Sequence, residues 1–222
     1  MTLGKLAGAA VGAALVVRVA RSRHQRFMHP AGRSFAGVFT GLGGDHDATI
    51  RISKGVGTRG GRADVRGLAI RVHLPGRDLD LLFSTAGHGP VGRHLPVPRR
   101  SFDTGYGSIT GYRIDGTDKA YLSARVGPDG PPLGRSLATI VPGTRFVLLA
   151  DDREFARASL GGELPPPTDE ALAFDPVRNS LPDLHPTGLI HSTRAAAYRL
   201  SQRWRGATPA SPNPAAVARV LT

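Results

Sequence analysis

Apolar and polar residues alternate with period two through the middle of the chain. Thr49-Ile50-Arg51-Ile52-Ser53 and Leu68-Ala69-Ile70-Arg71-Val72-His73 show it most clearly, as expected of strands with one face toward a core. Short β-prone runs recur at 37–42, 48–53, 66–74, 79–84, 107–113, 119–126 and 144–150, separated by Gly, Pro and Asp. Strands this short and this evenly spaced predict a sandwich or a barrel. The GPDGPP stretch at 127–132 reads as a turn, and Pro165-Pro166-Pro167 closes the strand-rich region. Thr168-Asp169-Glu170 then offers an N-cap for a short helix over ALAF. Helical patterns flank the strands. The small apolar run Leu6–Val17, between Lys5 and Arg18, predicts a helix over residues 3–24. It falls short of the roughly 20 residues that span a bilayer, and arginines follow where a signal peptide would carry its small cleavage-site residues. A second helix is predicted from about Thr187 to Trp204. The expected organisation is a basic, apolar N-terminal helix over 1–25, a barrel domain over 26–206 and a loose Pro/Ser/Ala-rich tail over 207–222. The fold class is α+β, mostly an antiparallel β-barrel with a helix at each end.

Charge adds a partner question. The formal net charge of the 222 residues is +12, and Lys5, Arg18, Arg21, Arg23, Arg26 and Arg33 all precede the first acidic residue, Asp45. Such an arm suits an anionic surface, so residues 3–24 are expected to pack on the domain or to lie at a membrane surface of an otherwise cytoplasmic protein. No recognition helix or RNA-binding signature accompanies the charge, and nucleic acid is not expected as a partner. A homo-oligomer is compatible with the sequence. There is no cysteine, which excludes a disulfide scaffold, a thiolate metal site, an iron–sulfur cluster and a cysteine nucleophile. Any chemistry falls to His, Tyr, Arg, Ser and carboxylates.

Four groupings could carry it. Arg194 and Tyr198, four apart on the predicted C-terminal helix, share a face, and a guanidinium beside a phenol favours the phenolate, a ligand for iron. His29 precedes Pro30 at the mouth of a strand, where an imidazole could carry protons. Arg51 and Ser53 stand two apart on one strand and so on one face. That face cannot be plain apolar core, so a buried polar site or a ligand is implied. The glycine-rich stretch 55–61 lacks the Lys-Ser/Thr of a P-loop. Gly44-Asp45-His46-Asp47 offers hard ligands for a divalent ion, as a metal-dependent phosphodiesterase would need, but it reads better as a polar hairpin turn.

The groupings fall in an order that resembles the haem catalase family, in particular its short, catalase-related peroxidase branch. Arg26-Phe27-Met28-His29-Pro30-Ala31-Gly32 with Gly37 and Phe39 is similar to the family's distal R-V-V-H-A-x-G segment. Arg51-Ile52-Ser53 through Gly57, and Asp64-Val65-Arg66-Gly67-Leu68-Ala69-Ile70-Arg71, resemble its R-F-S and D-x-x-R-G-x-A blocks. Asp78-Leu79-Asp80-Leu81 resembles the W-D-L segment, residues 101–126 the following tyrosine-rich region, and Arg194-x-x-x-Tyr198 the proximal R-x-x-x-Y. The resemblance implies haem b bound between the barrel and the C-terminal helix. Tyr198 would be the iron ligand, with Arg194 its charge partner. His29 would be the distal acid/base, oriented by Ser53, and Arg26 and Arg51 would pair with the propionates. The family's distal Asn has no counterpart at Phe83-Ser84-Thr85-Ala86, so Ser84 or Thr85 would stand in for it, and Thr85 is taken as the candidate. The implied activity is reduction of hydrogen peroxide or of organic, lipid-derived hydroperoxides, with an electron donor the sequence does not identify. A catalase-like protein that binds haem or lipid without turnover is the alternative.

Overall fold

The structure, a computed structural model, describes residues 29–114 and 119–187. The expected helix over 3–24, the helix expected beyond Thr187, and Arg26, Arg194 and Tyr198 lie outside the described residues. The described residues form nine strands: β1 (Ala31–Gly41), β2 (Gly44–Lys54), β3 (Arg66–Leu74), β4 (Arg77–Ser84), β5 (Tyr106–Ile114), β6 (Lys119–Val126), β7 (Arg145–Ala150), β8 (Arg153–Glu163) and β9 (Leu184–Thr187). Each of the first eight pairs antiparallel with its neighbour, β8 returns to β1, and Ser84 opposite Gly107 joins β4 to β5. The first eight strands therefore close an antiparallel barrel. Where β4 leaves the edge of β5, β9 takes its place, with Leu184–Thr187 opposite Ile114–Gly111.

The alternation seen in the sequence sorts the faces. Phe35, Ile50, Ile70 and Leu81 are register partners across β1 to β4 and are all fully buried. With Ile52, Leu68, Val72, Phe83, Leu122, Phe146 and Leu148 they fill the barrel with side chains. This is the packed interior expected of a small eight-stranded barrel, each such side chain contributing roughly 1.5–3 kcal/mol by burial. Any ligand of the barrel would therefore be met on its outside.

Seven of the strands fall on the runs marked in the sequence, and two do not. In β8 the inward positions Ala156 and Ala158 are small, so its hydrophobic signal is weak. In β9 Pro186 argues against a strand, and it is accommodated because β9 pairs on one side only. Thr187 thus ends a strand instead of opening a helix. The first hairpin turns at Leu42-Gly43, and Gly44 to Asp47 already belong to β2. The short helix α1 (Gly89–Gly92) follows β4. The next, α2 (Pro166–Ala171), begins before the expected Thr168 cap and ends at Ala171, so Leu172, Ala173 and Phe174 of the expected ALAF helix are not helical. Two prolines occupy its first positions, where their fixed φ suits the helix and their missing N–H costs nothing. Among the described residues, no helix is long and apolar enough to cross a membrane.

Candidate functional site

Strands β1 to β4 present their outward residues in cross-strand rows. One row reads Gly32, Ser53, Gly67, Ser84; the next reads Ser34, Arg51, Ala69, Leu82; a third reads Ala36, Thr49, Arg71, Asp80. The alternation that filled the barrel with Ile50 and Ile52 thus leaves Arg51 and Ser53 on its outer wall, where both are buried.

His29, just before β1, lies over the first row. Its Nδ1 and Ser53 Oγ share a hydrogen bond of 2.9 Å. Its backbone is held at both ends, with the N–H donating to Gly55 O at 3.1 Å and the carbonyl accepting from Arg51 Nη1 at 3.2 Å. His29 also has φ +57, in the left-handed region. A non-glycine residue held there costs of order 1–3 kcal/mol and persists only where its surroundings over-determine it. Glycine supplies the remaining room. A Cβ on Gly67 would fall 2.4 and 2.5 Å from two atoms of the His29 ring and 2.6 Å from Ser53 Oγ, and one on Gly32 would fall 2.5 Å from the Arg51 guanidinium. The imidazole and the guanidinium lie flat on the sheet because those two positions carry no side chain.

Arg51, 4% exposed, donates from Nε to Asp169 Oδ1 at 2.9 Å, and Ser34 Oγ donates to the same oxygen. Burial lowers the pKa of Arg51, and the charge and hydrogen bond of Asp169 partly offset this. Asp169 belongs to α2. The chain from Leu164 to Leu181 crosses the outer wall as a strap, begun by Leu164 N donating to Ser34 O at 2.8 Å. Farther along, Arg71 makes a bidentate pair with Asp80, at 2.7 Å in both arms, and donates to Ala173 O at 2.6 Å. Asp80 Oδ2 also accepts from Asp175 N at 2.6 Å and Asn179 Nδ2 at 2.9 Å.

The loop after β2 steadies the other side of His29. Lys54 Nζ donates to the carbonyls of Thr58 and Gly60. The Asp64 carboxylate accepts from Val56 N and Thr58 N at 2.9 and 2.8 Å. Burial alone would raise the Asp64 pKa, but these backbone donors hold it below the ordinary carboxylate value. The 55–61 stretch, set aside as a phosphate loop, thus presents the Gly55 carbonyl to His29.

The structure brings His29, Ser53 and Arg51 together. Thr85 stands apart from them in its bonding. It is fully buried, donates from Oγ1 to Val97 O at 2.6 Å and accepts from Arg66 N at 3.0 Å. Ser84 is the residue that shares the row of Ser53. Asp45, His46 and Asp47 sit at the far end of β2, in a cleft with His73 and Asp78. Among the described residues no group of three or more His, Asp or Glu could hold a metal ion. Sequence reasoning passed over Ser34 and took Asp169 only as part of a helix cap, since nothing in a sequence pairs residues so far apart. It also passed over the roles of Gly32 and Gly67, although a lone glycine inside the RGLAIRVHL run is a recognisable sign of close approach.

The fold is similar to that of catalase A from Saccharomyces cerevisiae, with a TM-score of 0.57 and 12% identity over 86% of this chain and 63% of that one. The chain thus spans less than two thirds of the length of that protein. The likeness establishes a catalase-like barrel. Neither a protein-family model nor a curated protein matches the sequence.

Proposed function

We propose that the protein reduces hydroperoxides at a haem b held against the outer wall of β1 to β4, with His29 as the proton carrier. The observation that supports this best is the His29–Ser53 pair: a histidine fixed at its backbone N–H, its backbone carbonyl and its ring Nδ1, and laid on a glycine floor. General acid–base catalysis needs such a fixed group within reach of the substrate. The catalase-like barrel supports the same reading.

The described residues fit one side of a haem site, with a flat polar wall, a fixed imidazole and a buried guanidinium. Arg26 and Arg51 are proposed to meet the propionates, and Tyr198 to hold the iron with Arg194 as its charge partner. At Arg51 a propionate would share the guanidinium with Asp169. Haem would supply the redox centre at which the peroxide O–O bond is cleaved. With Nδ1 held by Ser53, His29 moves the proton at Nε2, taking it from one peroxide oxygen and returning it to the other as that oxygen leaves. The products are water and, from an organic hydroperoxide, an alcohol, with electrons returned by an external donor. Ser84 is proposed as the second polar group of the wall.

An optical titration of the full chain with haemin tests the reading. A saturable Soret band that is lost or displaced in Tyr198→Phe is expected, and no uptake of haemin would overturn the proposal. A Soret band without turnover of hydrogen peroxide or cumene hydroperoxide would leave a binding protein in place of an enzyme.

A further inference from the structure

We propose that Asp169 is a positioning residue for His29, acting through Arg51, and that the strap carrying it sets the geometry of the proton carrier. The inference rests on the hydroperoxide reading for its consequence, but the contact itself is independent of any bound group.

Three observations carry it. Arg51 is almost wholly buried, and Asp169 is the carboxylate that reaches it. A guanidinium left in that position without a carboxylate would be an uncompensated buried charge, a strongly destabilising state that the side chain escapes by moving. The same guanidinium is the donor on the His29 carbonyl. Finally, His29 is in the left-handed region, so it stays there only while its hydrogen bonds outweigh the strain. Releasing Asp169 therefore frees Arg51, frees the His29 carbonyl, and lets the backbone relax away from Gly67 and Ser53. Ser34, fully buried and directly opposite Arg51, donates to the same Asp169 oxygen and fixes which way the carboxylate faces.

The test compares Asp169→Asn with Asn179→Ala in the full chain. The second variant loosens the strap at Asp80 and leaves Asp169 in place. The first readout is the pair of His29 ring 15N resonances, measured without haemin. Asp169→Asn is expected to move them from the pattern of a single held tautomer toward an averaged one, whereas Asn179→Ala should leave them unchanged. The second readout is turnover of the haemin-loaded protein, expected to fall on the order of ten- to a hundredfold in kcat with KM little changed, as when an orienting partner is removed. Should Asp169→Asn fail to fold, the double variant Arg51→Gln/Asp169→Asn removes both charges and is expected to release His29 in the same way. Unchanged His29 resonances in a folded Asp169 variant, or an equal change in Asn179→Ala, would overturn the proposal. If the wild type takes up no haemin while His29 still responds to Asp169→Asn, the positioning contact stands and the hydroperoxide reading fails.

Discussion

A Cβ at position 67 would fall within 2.6 Å of both the His29 ring and the Ser53 hydroxyl, so both have to give way. The ring, on a residue that precedes β1 and turning about two side-chain torsions, moves farther than a hydroxyl carried on a strand. Gly67→Ala is therefore expected to break the His29–Ser53 hydrogen bond while the barrel still melts cooperatively, with hydroperoxide turnover down on the order of ten- to a hundredfold. Histidine 15N shifts and a melting curve check the two halves separately. At this scale the sequence is informative about chemistry and poor at partnership. His29, Arg51 and Ser53 announce themselves by type and spacing. That His29 leaves the ordinary backbone region, or that Thr85 gives its hydroxyl to Val97 and Arg66 while Ser84 faces outward, depends on strand registers that no local pattern encodes.

Strand propensities identify most of the elements, since the runs with alternating Ile, Leu and Val are the ones that line the barrel. They fail where the barrel itself relaxes the demand, at the small inward alanines of β8 and the one-sided pairing of β9. Turns show a similar tolerance. Leu42 and Gly43 connect β1 to β2 with φ of +53 and +89, the two-positive pattern of a type I′ hairpin, which favours Asn-Gly. Leucine pays a penalty there of about 1 kcal/mol, and the residue is 41% exposed, so little packing holds it. Leu42→Asn is expected to raise stability by about that amount, read as a higher denaturant midpoint with an unchanged slope. A lower midpoint would mean that the leucine makes a contact worth more than the strain.

For the whole molecule, the barrel offers a wall and the strap turns that wall into a site. Asp80 is where the two are most firmly joined. It is 1% exposed and takes hydrogen bonds from Arg71, Asp175 N and Asn179. Asp80→Ala would leave Arg71 with the longer 3.6 Å contact to Asp78 and would strip Asp175 N and Asn179 of their acceptor, and a loss of about 3–5 kcal/mol is expected, measurable by thermal or denaturant unfolding. This union of strap and wall was not legible from the sequence: the ALAF segment reads as a helix, whereas the helix ends at Ala171 and the chain beyond it crosses the wall. What was legible is that a β-strand with Arg and Ser alternating against Ile must have a polar buried side, and the outer wall is that side. The proton-carrying role of His29 is tested by the initial rate of cumene hydroperoxide consumption by the haemin-loaded full chain, wild type against His29→Gln. Turnover that falls by at least about a hundredfold in the variant, with haemin still bound, is the predicted result for a lost acid–base group. Equal rates in the two proteins would contradict it.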